Sequence, residues 1–238
     1  GESLAGARWS VKQKRRIRES RVETTRRVVE AIAAAPTKPS VLINASAIGY
    51  YGPRADEELT ETDSPGCGFL AETCLAWERE AQHAERIPGV RVVRLRFGLV
   101  LGPGGGALRK MVPPFRWWIG GPIGSGRQWV SWIHLDDVIG LVEHLLTQAG
   151  FAGAVNATAP HPVTMAMLCR ELGRALHRPS WAPVPGAVLR LLLGEMADLL
   201  LTGQRVLPRA ALQAGFQFRF AELPNALRAC LSACGNEK

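Results

Sequence analysis

The sequence predicts an α/β protein with a parallel sheet and flanking helices, followed by a smaller, mostly helical unit. Residues 41–45 form a short apolar run bounded by Pro39 and by small residues, which is typical of a strand buried on both faces. Helical and strand patterns alternate along residues 9–35, 41–45, 69–85 and 90–97. This order indicates parallel strands joined by crossover helices.

The first predicted strand brings polar side chains to its carboxyl end. Ser46, Tyr50 and Tyr51 follow residues 41–45 through a turn of small residues. Open α/β sheets bind their ligands outside the carboxyl ends of their strands. We therefore expect this hydroxyl and these two phenols to face a ligand.

The composition indicates a folded chain with a substantial core. Of the 238 residues, 47% are hydrophobic and 21% are charged, which excludes a disordered chain and suits one large or two small domains. Pro160 and Pro162 mark a change of composition, so we predict one domain over 1–158 and a second over 159–238. A loop over 103–130 is expected on the substrate side of the first domain.

The cysteines and the hydropathy pattern exclude several classes of protein. The five cysteines have no CxxC or Cys/His spacing, so we expect free thiols, no metal and a reducing, cytoplasmic location; they are Cys67, Cys74, Cys169, Cys230 and Cys234. The most apolar stretch, residues 188–201, is interrupted by charges and is shorter than a membrane span. We expect no membrane partner.

Residues 8–27 hold nine lysines and arginines, which contribute strongly to the net charge of +8. Such a run suits either nucleic-acid binding or a solvated helix face. No nucleic-acid motif accompanies it, so we expect no nucleic-acid partner.

The helix predicted over residues 9–35 places Arg21 on its apolar stripe, which is formed by Ile17, Thr24, Thr25, Val28 and Ile32. A guanidinium turned towards a core needs an anion, because burying an unpaired charge is costly. Two anions fit: a carboxylate of the chain, or a phosphate or ribose of a bound nucleotide.

Two further patterns resemble functional motifs. Residues 102–107 match GxGxxA, but Pro103 and the absence of an acidic residue about 20 positions later favour a flexible loop. Residues 112–127 are predicted to be rich in loops. His134 lies between apolar residues, which favours a structural role over a catalytic one, and Asp136 is predicted to cap the next helix.

Five ordered motifs together resemble one superfamily. They are SRVETT, NASAIGYYG, RLRFGLVLGPGGG, GSGRQWVSWIHLDDV and NATAPHPVT. The chain is similar to the extended short-chain dehydrogenase/reductases, the nucleotide-sugar epimerase-like enzymes. The stretch LLLTGQRVLPRAALQAGFQF further resembles the atypical members that carry a C-terminal domain of unknown function.

This resemblance implies a Rossmann-type fold and an NADP(H) cofactor. It also implies that part of the fold is missing, because such proteins begin with a strand and GxxGxxG, whereas this chain starts at Gly1. By motif, Ser46 takes the position of the active-site hydroxyl. The other residues expected beside the cofactor are Gly1, Glu2, Arg21, Phe97, Gly98 and Val100.

One departure from the family pattern bears on catalysis. The superfamily uses a tyrosine and a lysine four residues later, and the lysine and nicotinamide lower the pKa of the phenol. This chain has Phe69 and Thr73 at those positions. Tyr50 or Tyr51 is a candidate substitute; otherwise both line the pocket.

The resemblance therefore leaves two functional hypotheses. The first is an NADP(H)-dependent oxidoreductase or epimerase-like protein acting on a small polar or sugar-like substrate. The alternative is an NADP(H)-binding sensor or partner protein without catalysis. The expected partner is a small-molecule substrate, and a homodimer is left open.

Overall fold

A computed structural model of the chain describes residues 1–4 and 6–233. Its α-helices are α1 Val11–Ala34, α2 Phe69–Gln82, α3 Gly106–Arg116, α4 Leu135–Thr147, α5 Met165–Leu176, α6 Gly186–Leu193, α7 Asp198–Leu201, α8 Arg209–Gln213 and α9 Leu223–Ala233. Its strands are β1 Val41–Ala47, β2 Glu58–Leu59, β3 Arg91–Phe97, β4 Leu99–Leu101, β5 Trp129–Val130, β6 Trp132–His134, β7 Gly153–Ala157, β8 Val163–Thr164 and β9 Arg205–Val206. One-turn 3-10 helices lie at Ile48–Tyr51, His83–Arg86 and Gly194–Ala197.

The main sheet has the order β1-β3-β7, and both of its pairings are parallel. The predicted α/β fold class with a parallel sheet is confirmed. β3 is central and pairs with β1 from Val41 opposite Arg91 to Ala47 opposite Phe97. Within the described residues, the other edge of β1 pairs with no strand.

The two faces of this sheet differ in chemistry. On one face Val93, Leu95 and Val155 pack against Leu141 and Leu145 of α4. The opposite face is covered by α1 and α2, and it is apolar only near the amino ends of the strands, around Val92. Towards the carboxyl ends this second face becomes polar and carries the candidate site.

The first helix begins and ends where its flanking residues dictate. Ser10 caps α1 by accepting a hydrogen bond from the backbone N–H of Gln13, and the chain leaves the helix just before Pro36. Ile17 and Thr25 are buried, whereas Thr24 and Val28 are exposed. The prediction that Thr24 and Val28 face the core was therefore wrong. Val29 packs against the core instead.

A second core joins the small β4–β6 pair to the C-terminal helices. Trp132 and Leu101 pack with Leu168 of α5 and Leu227 of α9. Further along, β9 pairs in parallel with β2, so the acidic loop after β1 is tied to the C-terminal region.

Several predicted loops and boundaries differ from the structure. Helix α3 runs through Pro113 and Pro114 to Arg116, although residues 112–127 were predicted to be loop-rich. The strand predicted over 128–135 is divided at Ser131. His134, not Asp136, caps α4: its Nδ1 accepts a hydrogen bond from the backbone N–H of Asp136.

None of the described helices is both long and apolar enough to cross a membrane. Cys67, Cys74 and Cys169 are not in disulfides. Cys234 lies outside the described residues.

Candidate functional site

Three polar side chains form a row across the main sheet near its carboxyl end. Ser46 of β1 is in register with Arg96 of β3, which is in register with Asn156 of β7. Residues paired in this way project to the same side of a sheet. All three are at least 97% buried, so each needs a partner inside the protein.

Glu78 of α2 supplies the central partner of this row. Its carboxylate accepts hydrogen bonds from Nε and Nη2 of Arg96 at 2.8 and 2.9 Å, in the fork geometry that suits an arginine–carboxylate pair. The hydroxyl of Ser46 donates to the same carboxylate at 2.7 Å. Ser46 therefore lies within β1 with its side chain buried, and not in a turn past the strand end as the sequence predicted.

The two tyrosines close the network from the 3-10 helix after β1. The hydroxyl of Tyr51 donates to Oδ1 of Asn156 at 2.7 Å and accepts from Nη1 of Arg96 at 2.9 Å. The guanidinium of Arg96 lies 3.5 Å from the ring centroid of Tyr50. Both phenols are thus held by intramolecular contacts, and they are at most 9% exposed.

Burial controls the acidity of this network. Removal from water raises the pKa of Tyr51 to about 12, although the positive charge of Arg96 opposes the shift. For Arg96, burial by itself lowers the pKa, but the hydrogen bonds and charge of Glu78 and Tyr51 raise it further, so the net direction is upward. Arg96 stays charged and Tyr51 stays protonated near neutral pH, so Tyr51 is poorly suited to exchanging a proton with a substrate.

Sequence reasoning missed Glu78, Arg96 and Asn156. A signal for one of them was available, because an arginine in the middle of a strand predicted to be buried requires an anion. The identity of that anion was not available, since Glu78 reaches Arg96 only through the packing of α2 on the sheet.

Arg21 differs from Arg96 in its partners. Its guanidinium is partly buried, lies 5.5 Å from the ring of Trp77, and donates to the carbonyl oxygens of Glu2 and Ile17 at 3.2 and 2.9 Å. Within the described residues no carboxylate lies within 4 Å of it. Burial lowers its pKa, although the negative charge of Glu2 opposes the shift.

The other predicted cofactor residues lie beside these elements. Gly1 approaches the side chain of Arg21, and the backbone N–H of Glu2 donates to the hydroxyl of Ser20 at 2.9 Å. Phe97, which ends β3, and Val100 pack in the core beneath α4.

Gly98 has a packing reason of its own. A Cβ at this position would overlap the carbonyl oxygen of Ser131 and the methyl group of Thr158. The same close approach allows the backbone N–H of Leu99 to donate to Ser131 at 2.8 Å. A glycine is therefore required here whether or not a cofactor lies nearby. The roles predicted for the catalytic and cofactor residues stay predictions.

The positions that correspond to the tyrosine and lysine of the superfamily are both in α2. Phe69 packs edge-on against Trp9 with a centroid distance of 5.1 Å, and the ammonium of Lys14 lies 5.5 Å from its ring. Thr73 is buried, and its hydroxyl has no hydrogen-bond partner within the described residues. Neither position offers an acid or a base.

No group of three or more histidine, cysteine, aspartate or glutamate side chains in the described residues is arranged to hold a metal ion. The candidate site consists of the carboxyl end of the parallel sheet, the buried network around Arg96 and Glu78, and the partly buried Arg21. The parallel β1-β3-β7 sheet with helices packed on both faces is that of a Rossmann-like α/β protein.

Comparison with known proteins identifies the family. Residues 1–157 match the NAD dependent epimerase/dehydratase family, and residues 184–230 match a domain of unknown function, DUF1731. The chain belongs to the NAD dependent epimerase/dehydratase family and carries the DUF1731 domain at its C-terminal side.

Individual relatives agree with this assignment. The chain is 45% identical over 235 residues to the chloroplastic epimerase family protein SDR39U1 homolog of Arabidopsis thaliana, covering 96% of the chain and 67% of the relative. It is 42% identical to epimerase family protein YfhF of Bacillus subtilis, covering 95% and 74%. The structure of human epimerase family protein SDR39U1 (isoform 2) with NADPH superimposes with a TM-score of 0.91 and 36% identity, covering 99% of this chain and 80% of that one.

The buried ion pair predicts that substituting two glutamates of α2 has very different effects on the free energy of unfolding. Glu78→Gln removes the charge that compensates Arg96, so we expect it to reduce the free energy of unfolding by about 3–5 kcal/mol. Glu80 pairs with Arg26, whose side chain is 47% exposed. Glu80→Gln is the matched control and should cost much less, because water screens the exposed Arg26 and solvates it when the carboxylate is removed. Urea denaturation of both variants measures the difference; equal losses would contradict the assignment.

The shifted acidity of Tyr51 predicts a loss of stability at high pH. The phenol has a pKa near 10 in the unfolded chain and about 12 in the folded protein. Its contribution to the free energy of unfolding is therefore fully present below about pH 10 and is lost as the pH rises towards 12. Denaturation measured from pH 9 to 12 should show this decline. The decline should be shallower in Tyr51→Phe than in the unaltered protein, and identical slopes in the two proteins would refute the prediction.

Proposed function

We propose that this protein binds NADP(H) at the carboxyl ends of β1 and β3, with Arg21 contacting a phosphate or ribose oxygen of the cofactor. The observation that carries the proposal is the charge of Arg21, which is partly buried against Trp77 and bonded only to neutral carbonyls. An anionic oxygen at this position would offset the desolvation of the guanidinium.

The geometry around Arg21 suits such a ligand. α1 precedes β1, and Thr25, one turn beyond Arg21, contacts Asn44 of the strand. Arg21 therefore lies at the height of the carboxyl end of β1, where open α/β sheets bind nucleotides. We infer the phosphorylated cofactor from the basic α1 and from the NADPH in the human relative.

The residues of this chain would orient the cofactor and exclude water from it. Bound NADPH supplies a hydride. In this proposal Arg21 holds the cofactor, while Arg96 and Glu78 keep Ser46 and Tyr51 fixed in the buried network. Since Tyr51 stays protonated and Phe69 stands at the position of the usual phenol, binding without turnover is the function that the geometry supports best.

The second candidate is an oxidoreductase or epimerase acting on a small polar or sugar-like substrate. Membership of the epimerase/dehydratase family favours it. In that case Ser46 would contact the substrate carbonyl or alcohol, which requires its hydroxyl to leave Glu78.

Removal of the Arg21 charge tests cofactor binding. Arg21→Gln should weaken NADPH binding about ten- to a hundredfold, which is the usual loss for one charge-assisted hydrogen bond. Arg18→Gln is the matched control, because Arg18 is exposed on the same helix. Calorimetry measures the affinity of both variants for NADPH. Equal affinities would exclude the assigned contact.

A turnover assay separates the two candidates. We expect no substrate-dependent oxidation of NADPH when the same protein is incubated with a panel of carbonyl compounds and absorbance is followed. Oxidation that disappears in Ser46→Ala but persists in Tyr51→Phe would instead establish the enzymatic candidate with Ser46 as a catalytic residue.

A further inference from the structure

A basic groove lies at the C-terminal end of α5, away from the strands that form the candidate site. Its volume is about 520 Å³. It is lined by Arg170, Gly173, Arg174, His177, Arg178, Pro179 and Ser180. None of these residues has a part in the proposed cofactor site.

The backbone around Gly173 builds this groove. His177 adopts a left-handed conformation with φ 54°, which ends α5 and turns the chain back over the helix. The returning segment passes so close that a Cβ at Gly173 would lie 2.7 Å from the carbonyl oxygen of Arg178. Gly173 therefore allows Arg178 and Ser180 to face the side chains of the last helical turns.

The positive charges of the groove are largely uncompensated. Arg174 pairs with Glu171 at 2.6 Å. Within the described residues, neither Arg170 nor Arg178 has a carboxylate within 4 Å. Arg170 and Arg174 are also four residues apart on one helix, a spacing at which like charges repel.

The helix dipole offers a simpler reason for cations at this end, but it is too small to account for them all. A helix C-terminus carries about half of one negative charge. Its carbonyls at Gly173 and Arg174 are already bonded by the backbone N–H groups of Arg178 and His177. The groove has three arginines, and only Glu171 and this partial charge oppose them. An excess of about 1.5 positive charges remains.

Arg178 is held in place for binding. Its guanidinium lies 4.6 Å from the ring centroid of Trp118, and its Nη1 donates to the carbonyl oxygen of His177. Its Nε is buried without a hydrogen-bond partner in the described part of the chain. Trp118 is held in turn, because its carbonyl oxygen accepts a hydrogen bond from the indole N–H of Trp181 at 2.8 Å. A guanidinium fixed in this way loses little conformational entropy when it binds an anion.

We propose that this groove is a second anion site, which binds the phosphate or diphosphate group of a small molecule other than the nicotinamide cofactor. Arginine forks match phosphate oxygens, and Ser180 also lines the groove. The proposal does not depend on the function assigned to Arg21.

Calorimetry with inorganic pyrophosphate at constant ionic strength tests the site. We expect saturable binding of one pyrophosphate per chain, weakened about tenfold in Arg174→Gln and in Arg178→Gln. Arg16→Gln, which removes an exposed arginine of α1, is the matched control and should bind as the unaltered protein does. Should Arg178→Gln not fold because it loses its contact with Trp118, Arg170→Gln replaces it.

Absence of saturable binding, or equal affinities in the groove variants and in Arg16→Gln, would overturn the proposal. A parallel NADPH titration tests whether the groove is part of the cofactor site. Unchanged NADPH affinity in Arg174→Gln supports a separate anion site. This holds even if Arg21→Gln also leaves NADPH affinity unchanged, so the proposal for the groove and the proposal for Arg21 can fail independently. Loss of NADPH affinity in Arg174→Gln would make the groove part of the cofactor site and would refute this inference.

Discussion

The buried ion pair between Arg96 and Glu78 constrains the whole carboxyl end of the sheet. Two charges that are at most 3% exposed can persist only if their remaining hydrogen-bonding groups are also satisfied. Ser46 and Tyr51 meet that requirement, and in doing so they give up their freedom to act elsewhere. The pair also fixes α2 against β3, so the network sets the position of the helix that begins at Phe69.

The polar network explains why the two faces of one sheet are so different. On the α4 face Leu95 and Val155 need only matching apolar shapes, which many side chains could supply. On the α1 and α2 face the side chains of the network need hydrogen-bond partners at particular positions along the strands. Asn156 shows how strict this is: its backbone N–H donates to Glu61, its side-chain N–H to the carbonyl of Leu207, and its side-chain oxygen accepts from Tyr51. The acidic loop and the C-terminal region are thereby attached to β7.

Much of the fold could be predicted from local sequence, because periodicity and apolar runs specify helices and buried strands. Helix α3 could not, since Pro113 and Pro114 suggested a loop. Both prolines lie more than a turn after the helix start at Gly106, where a proline normally costs a backbone hydrogen bond. The site was harder to predict than the fold. Ser46 was found as a polar residue beside a buried strand, but its partner Glu78 lies 32 residues later, and only tertiary packing brings the two together.

Arg21 and Arg96 show the limit of sequence reasoning most clearly. Each is an arginine on a face that turns towards the core, so the sequence gives both the same requirement for an anion. In the fold, a carboxylate of α2 reaches Arg96, whereas only carbonyl oxygens reach Arg21. The carboxylate of Glu78 offsets the charge of Arg96 inside the protein, whereas carbonyl oxygens offset the charge of Arg21 only in part. The two arginines differ because the packing of α2 on the sheet places Glu78 beside Arg96 and places no carboxylate within 4 Å of Arg21 among the described residues.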